Sequence, residues 1–290
     1  MMLFSPITIG PLELKNRIVM APMATHYADE TGAVTERLKN YYAERARGGA
    51  GLIIIESGYI HPLGRGGVRR LGLHEDRLIP GLKGLVDAIH SAGAKICSQL
   101  HHAGRQINVK NTRGQYPVSA SSIPSGMEAV VPRTLKMWEI KELVEAFGLA
   151  ARRSLAAGFD AILIHAAHGY LIHQFLSPVS NDRLDRYGRD MTGRIRFLKE
   201  VVHRCREEVG KDYPLMVRIC DSDFIPGGIT PKESVKIAQR LEEWGVKAIH
   251  VSAGTHDTVE MEIQPMAIPR GCLVYLAEGI KEVVKVPVFC

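Results

Sequence analysis

Short apolar runs recur along the chain at 17–23, 51–57, 94–101, 161–167, 215–221, 248–254 and 286–290. Runs of this length without polar alternation predict strands buried on both faces, as in a parallel sheet. Between them the period becomes helical. Ile140, Leu143, Val144, Phe147, Ala151 and Leu155 fall on one apolar stripe, which Gly158 should end. Thr230-Pro231-Lys232-Glu233 predicts another helix start, with Thr230 as the cap, proline in the first turn and Glu233 closing a capping box. Strand and helix alternate throughout, which predicts an α/β fold of the TIM (β/α)8 barrel type. A doubly wound open sheet is the runner-up, but no G-x-G-x-x-G or G-x-x-x-x-G-K-[ST] motif follows the early strands.

A closed barrel needs eight strands, and only seven are reached by Cys290. The expectation is therefore an incomplete barrel lacking its eighth βα unit, as in a truncated product or fragment, with residues 1–290 forming a single domain. The two longest gaps, 102–139 and 168–193, would follow strands three and four at the face where such barrels bind ligands. Rich in Pro, Ser and Gly, 102–139 is expected to cap the site.

Composition narrows the class. The chain has 290 residues, 46% hydrophobic and 23% charged, which suits one large core and excludes disorder and coiled coil. The net charge of +6 is scattered and not gathered into a basic run with interleaved aromatics, so small anionic ligands are expected and nucleic acid is not. Cys97, Cys205, Cys220, Cys272 and Cys290 contain no C-x-x-C pair, which argues against a disulfide framework, a zinc ribbon or an iron–sulfur cluster. No signal-peptide pattern opens the chain, and no apolar run reaches the ~18 residues of a membrane helix. A soluble, cytoplasmic protein is expected.

Candidate chemistry is densest at His165-Ala166-Ala167-His168-Gly169-Tyr170. Strand four should deliver two imidazoles and a phenol to the barrel mouth, where they could bind a carbonyl oxygen and supply a proton. The alternative is that they are core side chains bonded to backbone carbonyls. His101, His102, His165, His168, His173, His250 and His256 near strand ends also permit a metal site, though no H-x-H or H-E-x-x-H pattern supports one. Pro22 and the small Ala24 would let a flat ring approach closely. Gln99 and Arg218 should point toward the barrel axis, a combination suited to a heteroaromatic ring with an electron-rich edge. A buried Arg218–Glu56 pair is the structural alternative.

Several longer motifs carry a resemblance. Leu3-Phe4-Ser5-Pro6, the stretch from Lys15 to Met23, Gln99-Leu100-His101-His102-Ala103-Gly104-Arg105, the run from His165 to Pro178, and Asn181-Asp182-Arg183 with Asp185, Tyr187 and Gly188 resemble the old yellow enzyme family over essentially the whole chain. The branch it resembles most is the bacterial NADH:flavin oxidoreductases, which include 2-enoate and 2,4-dienoyl-CoA reductases. The resemblance implies a barrel holding FMN, NAD(P)H as reductant, and reduction of the C=C bond of an α,β-unsaturated carbonyl or enoate. Pro22, Met23, Ala24 and Ser57 would contact the flavin ring, Gln99 its pyrimidine edge, and Arg218 the region of N1 and O2, where a cation favours reduced flavin. His165 and His168 would grip the substrate carbonyl, Tyr170 would donate the proton, and His256 would assist it.

The pattern is departed from at Arg189-Asp190 and Gly193-Arg194. Family members also continue past the seventh strand into turns that hold the FMN phosphate, and many relatives add an iron–sulfur segment and a C-terminal redox module. No iron–sulfur cluster is expected within this chain, while a homo-oligomer or a redox module in a longer relative is compatible with the resemblance. Two other readings stay open: a truncated product with weak FMN binding and little activity, and a metal-dependent barrel hydrolase.

Overall fold

The computed structural model describes residues 2–107, 109, 114, 116–126 and 130–290. In chain order the strands are β1 (Ile7–Ile9), β2 (Leu12–Leu14), β3 (Val19–Met20), β4 (Leu52–Tyr59), β5 (Lys95–His101), β6 (Val118–Ser119), β7 (Arg133–Thr134), β8 (Ala161–Ala166), β9 (Leu215–Cys220), β10 (Ala248–Ser252) and β11 (Val288–Phe289). The helices are α1 (Glu36–Arg47), α2 (Ile79–Ser91), α3 (Met137–Ala156), α4 (Leu171–Leu176), α5 (Met191–Arg194), α6 (Arg196–Val209), α7 (Pro231–Glu243), α8 (Val259–Glu262) and α9 (Val274–Val283). Each of the seven apolar runs overlaps one strand of a single sheet, ordered β11-β10-β9-β8-β5-β4-β3 and parallel throughout, with β4 running two residues past its run. This is the strand order of a (β/α) barrel, with β3 and β11 at its two edges.

Side-chain alternation divides the strands into two environments. Ile53, Ile96, Ile162, Val217 and Ile249 pack outward with the helices in the larger core. Leu52, Ile54, Cys97, Ala161, Leu163, Met216 and Ala248 face the other way and form a second cluster inside the sheet's curve. Ile9, Leu12 and Leu14 of the β1–β2 hairpin join this inner cluster and close the end of the sheet where the strands begin. Its three-residue strands carry too little alternation to be recognised from sequence.

The α3 stripe packs as its spacing predicts through Ile140, Leu143, Phe147 and Ala151, but Leu155 is 40% exposed. One further turn has rotated it off the buried face. Gly158, at φ +88°, follows the α3 cap as expected. Thr230 and Pro231 do begin α7, but the capping box does not form. Arg194 instead draws the Glu233 carboxylate into an ion pair at 2.7 Å.

Of the 102–139 loop, residues 108, 110–113, 115 and 127–129 lie outside the described residues. The rest is tied down at both ends of the mouth. Arg183 donates through Nη1 to the carbonyls of Ala120 and Leu135, each at 2.8 Å. Arg105 donates to those of Ile123 and Pro124. Across the opening, the Gly126 amide reaches Asp257 Oδ1 at 2.6 Å. Nearby, Asp190 caps α5 by accepting from the Gly193 amide, so residues 189–194 form an ordered turn.

Candidate active site

The inner face changes chemistry along its length. Above the apolar cluster, register aligns Gln99 with Leu163, then Met216 and Ala248. One step further, His165 of β8 aligns with Arg218 of β9, and Arg218 with His250 of β10. The closed end is thus hydrocarbon, and the open end carries imidazole, amide and guanidinium. A register shift between Ile54 and Ser57 brings Ser57 opposite Gln99, which unbroken alternation from Ile54 would not do.

Beyond β8 the backbone takes two consecutive left-handed residues, His168 at φ +62° and Gly169 at φ +72°. A Cβ at Gly169 would stand 2.4 Å from Gln106 Nε2, so both the turn and its neighbour require glycine there. The turn is fastened from below, because the Gly169 amide donates to His173 Nδ1 at 2.9 Å and His173 Nε2 lies 2.8 Å from Asp223 Oδ1. It sets Tyr170 among four imidazoles, with ring centroids 4.4 Å from His101, 5.0 Å from His165, 6.4 Å from His168 and 5.6 Å from His256.

The electrostatics follow from burial. Desolvation holds His165 and His168 well below the usual imidazole range, with further depression from neighbouring imidazoles and Arg218. His101 falls to about 3 for the same first reason. These rings are neutral at pH 7 and act as hydrogen-bond partners, not as cations. Tyr170 is pushed up to about 12 by burial and then by the Glu262 charge, so its hydroxyl keeps its proton.

Ser252 joins two of the groups. Arg218 Nη2 donates to its Oγ at 3.2 Å, and His168 Nε2 lies 2.7 Å from the same oxygen. Arg218 can only donate, so the serine proton is free for His168 Nε2. In that arrangement the His168 proton sits on Nδ1.

Several buried polar atoms at this mouth have no hydrogen-bond partner: Gln99 Nε2, Arg218 Nε, and Nδ1 of His101, His165 and His250. Unsatisfied donors and acceptors in such number are costly unless a polar ligand meets them. A planar heteroaromatic ring with acceptors along one edge fits Gln99 and Arg218. Arg218 is lowered to about 10 by burial and has no ion pair among the described residues. The Arg218–Glu56 alternative is not what forms: Glu56 Oε2 accepts from the Thr25 amide at 2.9 Å and from the Thr25 hydroxyl. That contact anchors the segment just beyond β3, where Pro22 is half-buried and Met23 and Ala24 are exposed.

The structure therefore brings Tyr170, His165, His168 and His256 into one cluster, links Arg218 to it through Ser252, and sets Gln99 and Ser57 side by side on adjacent strands. Sequence reasoning missed Ser252 and Glu262 and gave His101 and Asp223 no role at Tyr170. The Gln99-to-Arg105 motif could have flagged His101. The other three come from separate elements with no common spacing. Among the described residues no group of three or more His, Cys, Asp or Glu side chains is placed to hold a metal ion. No helix among them is long and apolar enough to cross a membrane.

The relationships agree with this geometry. The chain is 46% identical over 287 residues to an NADH oxidase of Thermoanaerobacter brockii, covering 99% of this chain and 44% of that protein. It thus spans under half the length of that relative. It superposes with a TM-score of 0.94 and 34% identity on a 2-naphthoyl-CoA reductase in complex with 2-naphthoyl-CoA, over 99% of this chain and 46% of that one. An old yellow enzyme homologue from Zymomonas mobilis gives a TM-score of 0.84 at 32% identity, over 99% and 81%. Since residues 2–289 also match the family profile, the chain belongs to the NADH:flavin oxidoreductase / NADH oxidase family.

Proposed function

We propose that this chain is the FMN-binding barrel of an NAD(P)H-dependent ene-reductase acting on α,β-unsaturated carbonyl or enoate compounds. One observation carries the reading: a protonated, half-buried Tyr170 stands amid neutral imidazoles, above inward-facing Gln99 and Arg218, each with a buried nitrogen that lacks a partner. FMN, when bound, supplies the hydride chemistry linking nicotinamide to alkene. Gln99 and Arg218 would hold its polar edge, with Pro22, Met23, Ala24 and Ser57 beside the ring, and Arg218 would favour negative charge there.

The remaining work falls to the protein's own side chains. His165 and His168 donate to the substrate carbonyl and stabilise the negative charge that develops on its oxygen, and as neutral donors they do so without transferring a proton outright. Tyr170 gives its hydroxyl proton to the α-carbon, and His256 supports it. The described segments of 102–139 cap the mouth through the Gly126–Asp257 and Arg183 contacts, and exclude water from the developing carbanion. Residues 1–290 act as one unit in this scheme.

The test is spectroscopic. The protein supplied with FMN should show visible flavin absorbance, bleach with NAD(P)H under anaerobic conditions, and regain colour when an enone or enoate is added. Failure to retain flavin, or colour that returns only with oxygen, would overturn the reading.

A further inference from the structure

Glu262 closes α8 in the loop after β10, and its side chain is only 9% exposed. Its Oε1 lies 3.7 Å from His168 Nδ1 and its Oε2 3.9 Å from His256 Nε2, both too long for direct hydrogen bonds. Oε2 has no partner. A carboxyl group is thus suspended between two imidazoles of the site, one of which stands against Tyr170.

We propose that Glu262 is the proton reserve of Tyr170, passing its proton to His256, whose ring reprotonates the phenolate left after Tyr170 has protonated the substrate. The inference rests on the reading of Tyr170 as the acid and adds the source of its proton. The step balances. The Tyr170 O–H bond breaks as the α-carbon C–H bond forms, leaving the electron pair on the phenol oxygen. An N–H bond of His256 then breaks to restore that hydroxyl, while Nε2 takes the Glu262 proton. The carboxylate recovers a proton from water and the His256 ring returns to its starting tautomer by exchange with solvent, so the net change is one solvent proton moved to product.

The surroundings suit a group that holds and releases a proton. Facing Glu262 are Arg218 of β9, His168 and Tyr170 from the turn after β8, His173 of α4 and His256, which itself faces Asp257 and Arg105. Burial outweighs the favourable influence of Arg218 and the His173 ring, and pushes the carboxyl up to about 7. A phenolate at Tyr170 is strongly basic, since that group sits at about 12. Reprotonation is therefore downhill whenever Glu262 is protonated.

The experiment follows multiple-turnover alkene reduction by the holoenzyme across pH, in wild type, Glu262→Gln and Tyr170→Phe. Beside it runs the single-turnover alkene half-reaction of pre-reduced enzyme, which spends only the proton Tyr170 already holds and should stay flat. In wild type the turnover rate should fall above pH 7 to a lower plateau as Glu262 loses its proton. Glu262→Gln should remove that break and run at about the wild-type high-pH rate throughout. A second readout needs no turnover: infrared difference spectra on acidification should show a protonated-carboxyl band that appears near pH 7 and is lost in Glu262→Gln. An unchanged pH profile in Glu262→Gln, or no such band, overturns the inference. If Tyr170→Phe is slow while Glu262→Gln keeps the wild-type profile, Glu262 alone is wrong. If Tyr170→Phe reduces alkene at the wild-type rate, both readings fall.

Discussion

His173 Nε2 lies 2.8 Å from Asp223 Oδ1, with both side chains buried beneath the turn that carries Tyr170. The same ring accepts the Gly169 amide on Nδ1, so its proton must sit on Nε2, toward the carboxylate. Burial works to raise Asp223, yet the His173 ring, the Ser177 hydroxyl and the Ile229 amide together hold it below the ordinary carboxylate range. Asp223→Asn should loosen the paired left-handed residues above it. The expected result is a stability loss of about 3 kcal/mol, the scale of a broken buried pair, together with slower alkene reduction. Urea denaturation and turnover measure the two.

Tyr170→Phe keeps the ring packing and removes the phenol hydroxyl from the imidazole cluster. Protonation of the α-carbon should slow by about 10²-fold or more, the range of a positioned general acid. Flavin reduction by NAD(P)H, measured separately, should fall by a far smaller factor. Equal losses in both half-reactions would remove Tyr170 from the acid role.

His165→Ala should weaken the binding of a phenol or enone to oxidised holoenzyme by about tenfold, the worth of one hydrogen bond in a buried site. Because both imidazoles are neutral far below pH 7, the affinity itself should be flat between about pH 6 and 8. Spectral titration checks both statements.

Arg218→Met exchanges a buried guanidinium for hydrocarbon of similar length. Without flavin the variant should be more stable than wild type, since a poorly satisfied cation is gone; with flavin it should bind the cofactor more weakly. Thermal melts with and without FMN should therefore cross over.

Acid should undo the fold through its imidazoles. His101, His165, His168 and His250 all have folded-state values depressed by burial below the unfolded reference near 6.5. The unfolded chain then binds more protons below that pH, so their contribution to stability is lost as pH falls. Asp223 adds to the loss at lower pH, and Glu262, raised to about 7, works in the opposite sense. His250 stacks on Phe289 and has an unpartnered Nδ1. His250→Gln should keep more of its neutral-pH melting temperature at about pH 5 than wild type does.

Much of the frame was legible because strands covered on both faces leave uninterrupted apolar runs, and all seven runs overlap their strands. The β1–β2 hairpin was not, since Ile7 to Leu14 offers two short alternations that become meaningful only against Met216 and Ala248 from far along the chain. Glu233 reads locally as a capping partner, but a guanidinium 39 positions away outcompetes the backbone amide. The cluster shows the same divide. His165, His168 and Tyr170 share one segment and announce themselves, whereas Ser252, Asp223 and Glu262 acquire meaning only after three separate parts of the chain meet. Asn181 and Arg183, conspicuous in the sequence, turn out to serve as clasps: Asn181 donates to the carbonyls of Phe175 and Tyr187, and Arg183 to those of Ala120 and Leu135.

The hairpin that packs Ile9, Leu12 and Leu14 under the inner cluster floors the chamber where the strands begin, and Tyr170 with its imidazoles stands at the opposite end. Under the proposed function, nicotinamide and alkene must both occupy the space beside Tyr170 and so have to take turns, each departing before the next arrives. Steady-state plots at varied concentrations of the two should therefore give parallel lines, and an excess of either should obstruct the other.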